Sequence, residues 1–203
     1  MGLERFQDWG KRDLVPSDSP IVPDDASLMD LLLAGSLEPP TSAPPVVLTG
    51  GDLCRTLGGR GKARPGGEAS IMEVNVGRAL VDGRIYPFVA HVIAGTIRRP
   101  GTWWVAANTA HKGRWNLAPA AHPGDDLLDL VSFNLRITEI SGVWRRLSSG
   151  VHVPHPRIHI ERSQSSTRSF PRPTPIRIDG RPPFSGREVM VRLDPQDTIR
   201  VAV

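Results

Sequence analysis

Short stretches of alternating apolar and polar residues, separated by Gly and Pro turns, fill the chain from residue 71 onward. A period of two is the pattern of a half-buried β-strand, and Gly or Pro between such runs predicts turns. The predicted strands are residues 71–81, 86–96, 103–108, 128–135, 174–178, 188–193 and 198–203. The predicted turns are Asp82-Gly83, Arg98-Arg99-Pro100-Gly101 and Asp179-Gly180. One short helix at most, over residues 140–147, joins them, so the sequence predicts a mainly β fold, either a two-layer β-sandwich or a distorted barrel.

The first 45 residues follow a different pattern. Residues 1–23 combine Gly, Pro, Ser and Asp with scattered aromatic side chains, which predicts a poorly ordered leader. Residues 24–34 carry helix signals, since Asp24 or Asp25 can cap the N-terminus and Gly35 stands where a helix ends. Prolines then impose an extended chain on residues 38–45.

A short apolar strand, residues 46–48, runs into the turn Gly50-Gly51-Asp52. Backbone amides in such a turn can bind a phosphate group. A plain Gly-rich linker explains the same residues as well. The later run Gly58-Gly59-Arg60-Gly61-Lys62 is not a Walker loop, because Ala63 replaces the Ser or Thr that the motif requires.

Charge is distributed unevenly along the chain. Residues 1–38 hold 3 basic and 8 acidic side chains, a net −5, whereas residues 101–203 hold 14 basic and 9 acidic ones, a net +5. The second half can therefore face phosphates or an anionic membrane surface, although a solvated Arg-rich surface explains the same count. A single Cys, Cys54, excludes an internal disulfide and fits a reducing compartment. Without a long apolar run or a secretory signal, we expect a cytoplasmic protein that can lie at the membrane periphery.

The stretch from residue 112 to residue 129 is turn-rich and polar, and it leads into an apolar strand. Lys112 and Arg114 come first, and a Pro-rich bend then precedes Asp125, Asp126 and Asp129. A loop of this kind can turn carbonyl and carboxylate oxygens toward one hard cation. The alternative is a turn with solvated acids, and the spacing is not that of an EF-hand loop.

Within this stretch, GRWNLAPAAHPGDDLLDLV (residues 113–131) resembles the second-domain signature of the bacterial diacylglycerol kinase and lipid kinase family. The resemblance continues through Gly150-Val151-His152 and His155-Pro156 to Ile178-Asp179-Gly180, and covers roughly residues 73–203. It implies a C-terminal β-sandwich domain over residues 71–203. The nucleotide-binding domain of the family would then be missing or reduced to a vestigial Gly-rich α/β segment within residues 1–70.

The resemblance also implies a set of site residues. Asp125 and the carbonyl near Leu127 would hold Mg²⁺, although Asp126 stands where the family has Gly. Asp179 would deprotonate a lipid hydroxyl, although Arg181 replaces the Glu of the family motif. The carboxylate of an Asp-Gly turn also has a purely structural explanation.

For the nucleotide, the resemblance implies a phosphate site at Gly50, Gly51 and Asp52, although Leu53 departs from the family pattern. ATP and Mg²⁺ are the cofactors implied. Lys112 and Arg114 are candidates for phosphate contacts, with surface charges as the alternative.

Three function classes remain open. The first is ATP-dependent phosphoryl transfer to a lipid hydroxyl. The second is a non-catalytic β-domain that binds a lipid, a separate catalytic chain or a second copy of itself. The third, a nucleic-acid-binding barrel, is least favoured, because the five Trp residues are scattered and the basic residues form no stripe. A zinc site at His152, His155 and His159 is also disfavoured, because prolines separate the three, and His91 is expected to be a core residue.

Overall fold

The computed structural model describes residues 10–35, 43–95 and 101–203. Its strands are β1 Gly10–Leu14, β2 Ile21–Val22, β3 Val46–Leu48, β4 Glu68–Val81, β5 Arg84–Phe88, β6 His91–Ala94, β7 Gly101–Ala107, β8 His111–Lys112, β9 Trp115–Asn116, β10 Leu128–Leu135, β11 Ile158–Ser163, β12 Ser165–Ile178 and β13 Phe184–Ala202. Its helices are α1 Asp25–Leu33, α2 Gly51–Thr56 and α3 Ile137–Leu147. The predicted mainly β fold is confirmed.

Eleven of the strands form one sheet, whose main path is β1-β4-β13-β12-β6-β7-β10-β11. Neighbours on this path are antiparallel, while β3 joins β13 and β2 in parallel at the side. The end strands β1 and β11 do not pair with each other within the described ranges, so the sheet is not a closed barrel. A separate hairpin, β8–β9, follows β7.

The main core lies between two parts of this one sheet. A single buried cluster joins Val81 of β4 and Val191 of β13 with Trp104 of β7 and Leu128 of β10. Since these strands are distant in the sheet order, the sheet folds over so that they face each other. The opposite side of β7 and β10 carries Trp103 and Phe133, which stack at a centroid distance of 3.5 Å. Apolar residues of α3 belong to that second cluster.

Three local predictions differ from the structure. Residues 10–22 of the predicted leader contain β1, which pairs with β4, and β2, which pairs with β3. The run 86–96 divides into β5 and β6, because the amides of residues 89 and 90 donate to a side chain instead of a neighbouring strand. Residues 188–193 and 198–202 belong to one long strand, β13, with an irregularity between Leu193 and Thr198.

The helices agree more closely with the sequence. Asp24 caps α1 and accepts the N–H of Ser27 at 2.8 Å. Gly35 follows α1 with φ 63°, as expected of a glycine that ends a helix. Helix α3 begins three residues earlier than predicted, at Ile137, because the Glu139 carboxylate accepts the N–H of Arg136 and closes the first turn. The predicted turn at 98–101 and the extended segment 38–45 lie largely outside the described residues. None of the described helices is long and apolar enough to cross a membrane.

Candidate functional site

Three of the predicted site residues come together where α2, β6, β8 and the end of β12 meet. The Lys112 ammonium donates to Asp52 at 2.8 Å, and the backbone N–H of Gly113 donates to the other Asp52 oxygen at 2.5 Å. His91 lies beside the same Asp52 oxygen that accepts from Lys112, with 3.8 Å between its Nδ1 and Asp52 Oδ2. Asp179 contacts the backbone of His91. We call this group of residues the acid–lysine cluster.

His91 is the buried imidazole of the acid–lysine cluster. Its Nε2 lies 3.1 Å from the carbonyl oxygen of Thr109. A carbonyl can accept only, so Nε2 carries the proton and Nδ1 presents its lone pair toward Asp52. Burial lowers the pKa of His91 to about 4, with Asp52 opposing and Lys112 reinforcing the shift. The imidazole is therefore neutral at physiological pH, and the expected core histidine lies beside the predicted site residues.

Asp179 sits at the end of β12 in a turn with φ 46°. Its carboxylate accepts the backbone N–H groups of Val89 at 2.7 Å, Ala90 at 2.9 Å and His91 at 2.8 Å. Burial, and then the nearby charge of Asp25, raise the pKa of Asp179 to about 7, against the three N–H groups, which lower it. Asp179 thereby fixes the backbone between β5 and β6 and the position of His91.

The Gly50-Gly51-Asp52 turn begins helix α2, as a strand-to-helix phosphate turn would. Its amides, however, meet a carboxylate of the same chain. Asp25 of α1 accepts the N–H of Asp52 at 2.7 Å and the N–H of Leu53 at 3.1 Å. A Cβ on Gly51, whose φ is 94°, would lie 2.5 Å from Asp25 Oδ1, so this glycine is required by the approach of Asp25. Burial raises the pKa of Asp25 to about 6.

The predicted metal loop is closed by an arginine. Arg162 of β11 donates through Nη2 to Asp125 and through Nε to Asp129, the latter at 2.9 Å. The Leu127 N–H donates to Asp125 Oδ1 at 3.1 Å, which ties the loop to itself. Among the described residues, no group of three His, Cys, Asp or Glu side chains is arranged to hold a metal ion. Because the Arg162 guanidinium already occupies one oxygen of each carboxylate, these residues do not fit a resident Mg²⁺.

The remaining sequence candidates lie apart from these contacts. Arg114 is exposed in the turn between β8 and β9. His152 is buried, and its Nε2 lies 3.1 Å from the carbonyl oxygen of Leu117. Asp25 and Arg162 were missed by the sequence reasoning. Each acts on residues at least 27 positions away, and neither belongs to a local motif that would have revealed it.

Solved structures with this fold are known from Bacillus anthracis str. Sterne. Two structures of a protein proposed to be a diacylglycerol kinase match at a TM-score of 0.63, with 14% and 13% identity, over 89% of this chain and 76% of theirs. A third, of a diacylglycerol kinase, matches at a TM-score of 0.54 with 15% identity, over 77% of this chain and 66% of its own. No protein-family model and no curated protein sequence matches the chain. The resemblance predicted from the sequence is therefore confirmed at the level of the fold, which is similar to that of these diacylglycerol kinase structures.

Proposed function

We propose that this chain is a lipid kinase-like phosphotransferase, which transfers the γ-phosphoryl group of ATP–Mg to the hydroxyl of a lipid. The observation that carries the proposal is the convergence of Asp52, Lys112 and Asp179 around His91, from segments far apart in sequence. The lipid kinase-like fold supports the same assignment. The lipid would be presented at an anionic membrane surface, which suits the net positive charge of residues 101–203.

In this proposal Asp179 is the general base. A carboxylate has about four acceptor positions, and three of them are used by backbone N–H groups, so one position remains on Oδ2. A pKa of about 7 suits a base that works near neutral pH. The lipid oxygen bonds to the γ-phosphorus, the bond to the bridging oxygen breaks, ADP leaves, and the hydroxyl proton passes to Asp179.

Lys112 is the candidate for charge stabilisation in this proposal. Its ammonium lies 3.9 Å from the position that a Cβ on Gly180 would occupy, so the lysine and the Asp179-Gly180 turn border the same space. The lysine side chain is 24% exposed, which leaves its ammonium accessible to a phosphate group. Nucleotide binding at Gly50, Gly51 and Asp52 stays a prediction. It requires the hydrogen bonds from the Asp52 and Leu53 amides to Asp25 to break, so that these amides can bind a phosphate group.

The second candidate is a non-catalytic β-domain that binds a lipid surface, a separate catalytic chain or a second copy of itself. It is favoured by one observation, the engagement of the amides of Asp52 and Leu53 by Asp25. A phosphate site whose donors are already satisfied has no electrostatic need of a nucleotide.

One experiment with the purified chain distinguishes the two candidate functions. Transfer of labelled γ-phosphate from ATP–Mg to diacylglycerol and related lipids in vesicles is measured for the wild type, Asp179→Asn and Asp82→Asn. Asp82 is the matched control, since it also precedes a glycine in a turn with positive φ and also accepts backbone N–H groups, those of Arg187 and Glu188.

Transfer that disappears in Asp179→Asn and persists in Asp82→Asn is the expected result. Circular dichroism on each variant verifies that the fold is retained. Equal background in all three would refute the kinase assignment. Vesicle co-sedimentation without any transfer would then identify the second candidate.

A further inference from the structure

The acidic loop of residues 122–129 faces a positively charged side chain of the same chain. Arg162 of β11 lies directly opposite Asp129 of β10 in the strand register. Its Nε donates to Asp129 Oδ1 at 2.9 Å, and its Nη2 donates to Asp125 Oδ2. One guanidinium therefore links a carboxylate within the loop to a carboxylate on the strand that leaves it.

Burial explains why a cation is needed at this place. The Asp129 side chain is 1% exposed and that of Asp125 is 19% exposed, whereas Arg162 is 41% exposed. An ionised carboxylate withdrawn from water requires a charged partner or a set of hydrogen-bond donors. The planar guanidinium presents several donors in a fixed geometry and can serve two carboxylates at once. Its exposed part remains hydrated, which limits the cost of placing it there.

Protein donors also close the rest of the loop. The Asn75 side-chain amide donates to Asp126 Oδ1 at 2.8 Å and accepts the N–H of Asp126 at 3.2 Å. The N–H of Asn75 donates to the Pro123 carbonyl at 2.6 Å. The side-chain amide of Asn108, which directly follows β7, donates to the Asn75 carbonyl at 3.0 Å. The conformation of the loop is thus determined by contacts within the chain.

One polar atom at this place has no such contact. Asp129 Oδ2 is buried and has no hydrogen-bond partner within the described ranges. If Arg162 were removed, Asp129 Oδ1 and Asp125 Oδ2 would lose their donor beside this unpartnered oxygen. Oxygen ligands of this kind are those that hard divalent cations prefer.

We propose that Arg162 is the built-in counter-ion of this loop, so that the chain orders the loop without a divalent cation. Removal of its guanidinium uncovers a divalent cation site between Asp125 and Asp129. This role of Arg162 in folding is independent of whether the chain transfers phosphate.

The test is the melting temperature in chelator and in millimolar MgCl₂ or CaCl₂ at constant ionic strength. The wild type is compared with Arg162→Ala, with the double variant Arg162→Ala/Asp125→Asn, and with Arg192→Ala. Arg192 is the matched control, because it is an exposed arginine, on β13, that is paired with Asp194 at 3.5 Å. We expect the wild type and Arg192→Ala to melt at the same temperature with and without divalent cations.

For Arg162→Ala in chelator we expect a fall in the melting temperature of about 4–10 °C, because the buried Asp129 carboxylate loses its partner. Divalent cations should restore part of this loss, and the double variant should not respond to them. Cation-dependent stability of the wild type would overturn the proposal. An Arg162→Ala variant as stable as the wild type, or unresponsive to cations, would overturn it as well. Should Arg162→Ala fail to fold, the wild type in chelator and the Arg162→Lys variant decide the question, since the ammonium restores the charge and should retain cation independence.

Discussion

The carboxylate of Asp25 predicts a stability change that depends on pH in a defined direction. Burial is the main cause that raises its pKa from 3.8 to about 6, against the N–H groups of Asp52 and Leu53. The folded state therefore binds this proton more tightly than the unfolded state. The contribution of Asp25 to stability is greatest below the unfolded pKa and is lost as the pH rises through the folded one.

The magnitude follows from the shift. Each pKa unit corresponds to about 1.4 kcal/mol, so ionised Asp25 costs the folded state about 3 kcal/mol relative to the protonated form. Asp25→Asn removes this titration, and its neutral side chain keeps one oxygen for one of the two amides. The free energy of unfolding of the wild type, minus that of Asp25→Asn, should fall by about 2–4 kcal/mol between about pH 4 and pH 7.

Urea unfolding followed by tryptophan fluorescence measures this difference at each pH. The buried Trp104 lies in the main core and the buried Trp103 in the second cluster, so their fluorescence reports the loss of both. Asp24→Asn is the matched control, because hydrogen bonds from Ser27 lower the pKa of Asp24, so its contribution is lost as the pH falls. Parallel curves for the wild type and Asp25→Asn would refute the burial of a carboxylate against these amides.

Two further predictions concern the core and the acid–lysine cluster. Gly77→Ala should lower the free energy of unfolding by about 1–3 kcal/mol in urea titrations, since the added Cβ would lie 2.3 Å from the ring of the fully buried Phe88; a neutral or stabilising effect would contradict the packing. Lys112→Gln should raise the pKa of His91, which burial first and then the Lys112 ammonium lower, while Asp52 raises it. An NMR titration of the histidine side chains checks this, and a His91 pKa that stays near 4 would contradict it.

Much of the fold could be predicted from periodicity, because most strands bury one face. The bounds of β10, Leu128–Leu135, are those that alternation predicts. Strand β1 was not predicted from the sequence because all five of its residues are exposed, and backbone pairing with β4 holds it in place without any apolar pattern. The break between β5 and β6 was not predicted for a different reason. The sequence shows an unbroken apolar run, but the amides of Val89 and Ala90 are taken by Asp179, which lies about 90 positions further along the chain.

The candidate site was predictable where local motifs mark it. A turn and a family motif singled out Asp52 and Asp179, and Lys112, just before the family motif, was named as a candidate phosphate contact. The structure brings the three into one cluster. No local motif indicated the site contacts of Asp25 and Arg162. Either Asp24 or Asp25 was expected to cap α1. Asp24 fills that role, and the Asp25 carboxylate accepts amides 27 and 28 positions away. Side-chain contacts of that kind depend on tertiary packing, so they cannot be predicted from a single sequence.

The partners of the acidic residues distinguish them more sharply than their motifs do. Both oxygens of Asp25 accept N–H groups at the start of α2, and both oxygens of Asp125 serve its own loop and Arg162. Asp179 accepts three backbone N–H groups, and burial raises its pKa to about 7. A carboxylate that is partly satisfied and easily protonated can hold a backbone in place and still exchange a proton, whereas one neutralised by a guanidinium cannot do so without losing its partner. For this reason the catalytic proposal rests on Asp179, and the metal loop is assigned a structural role.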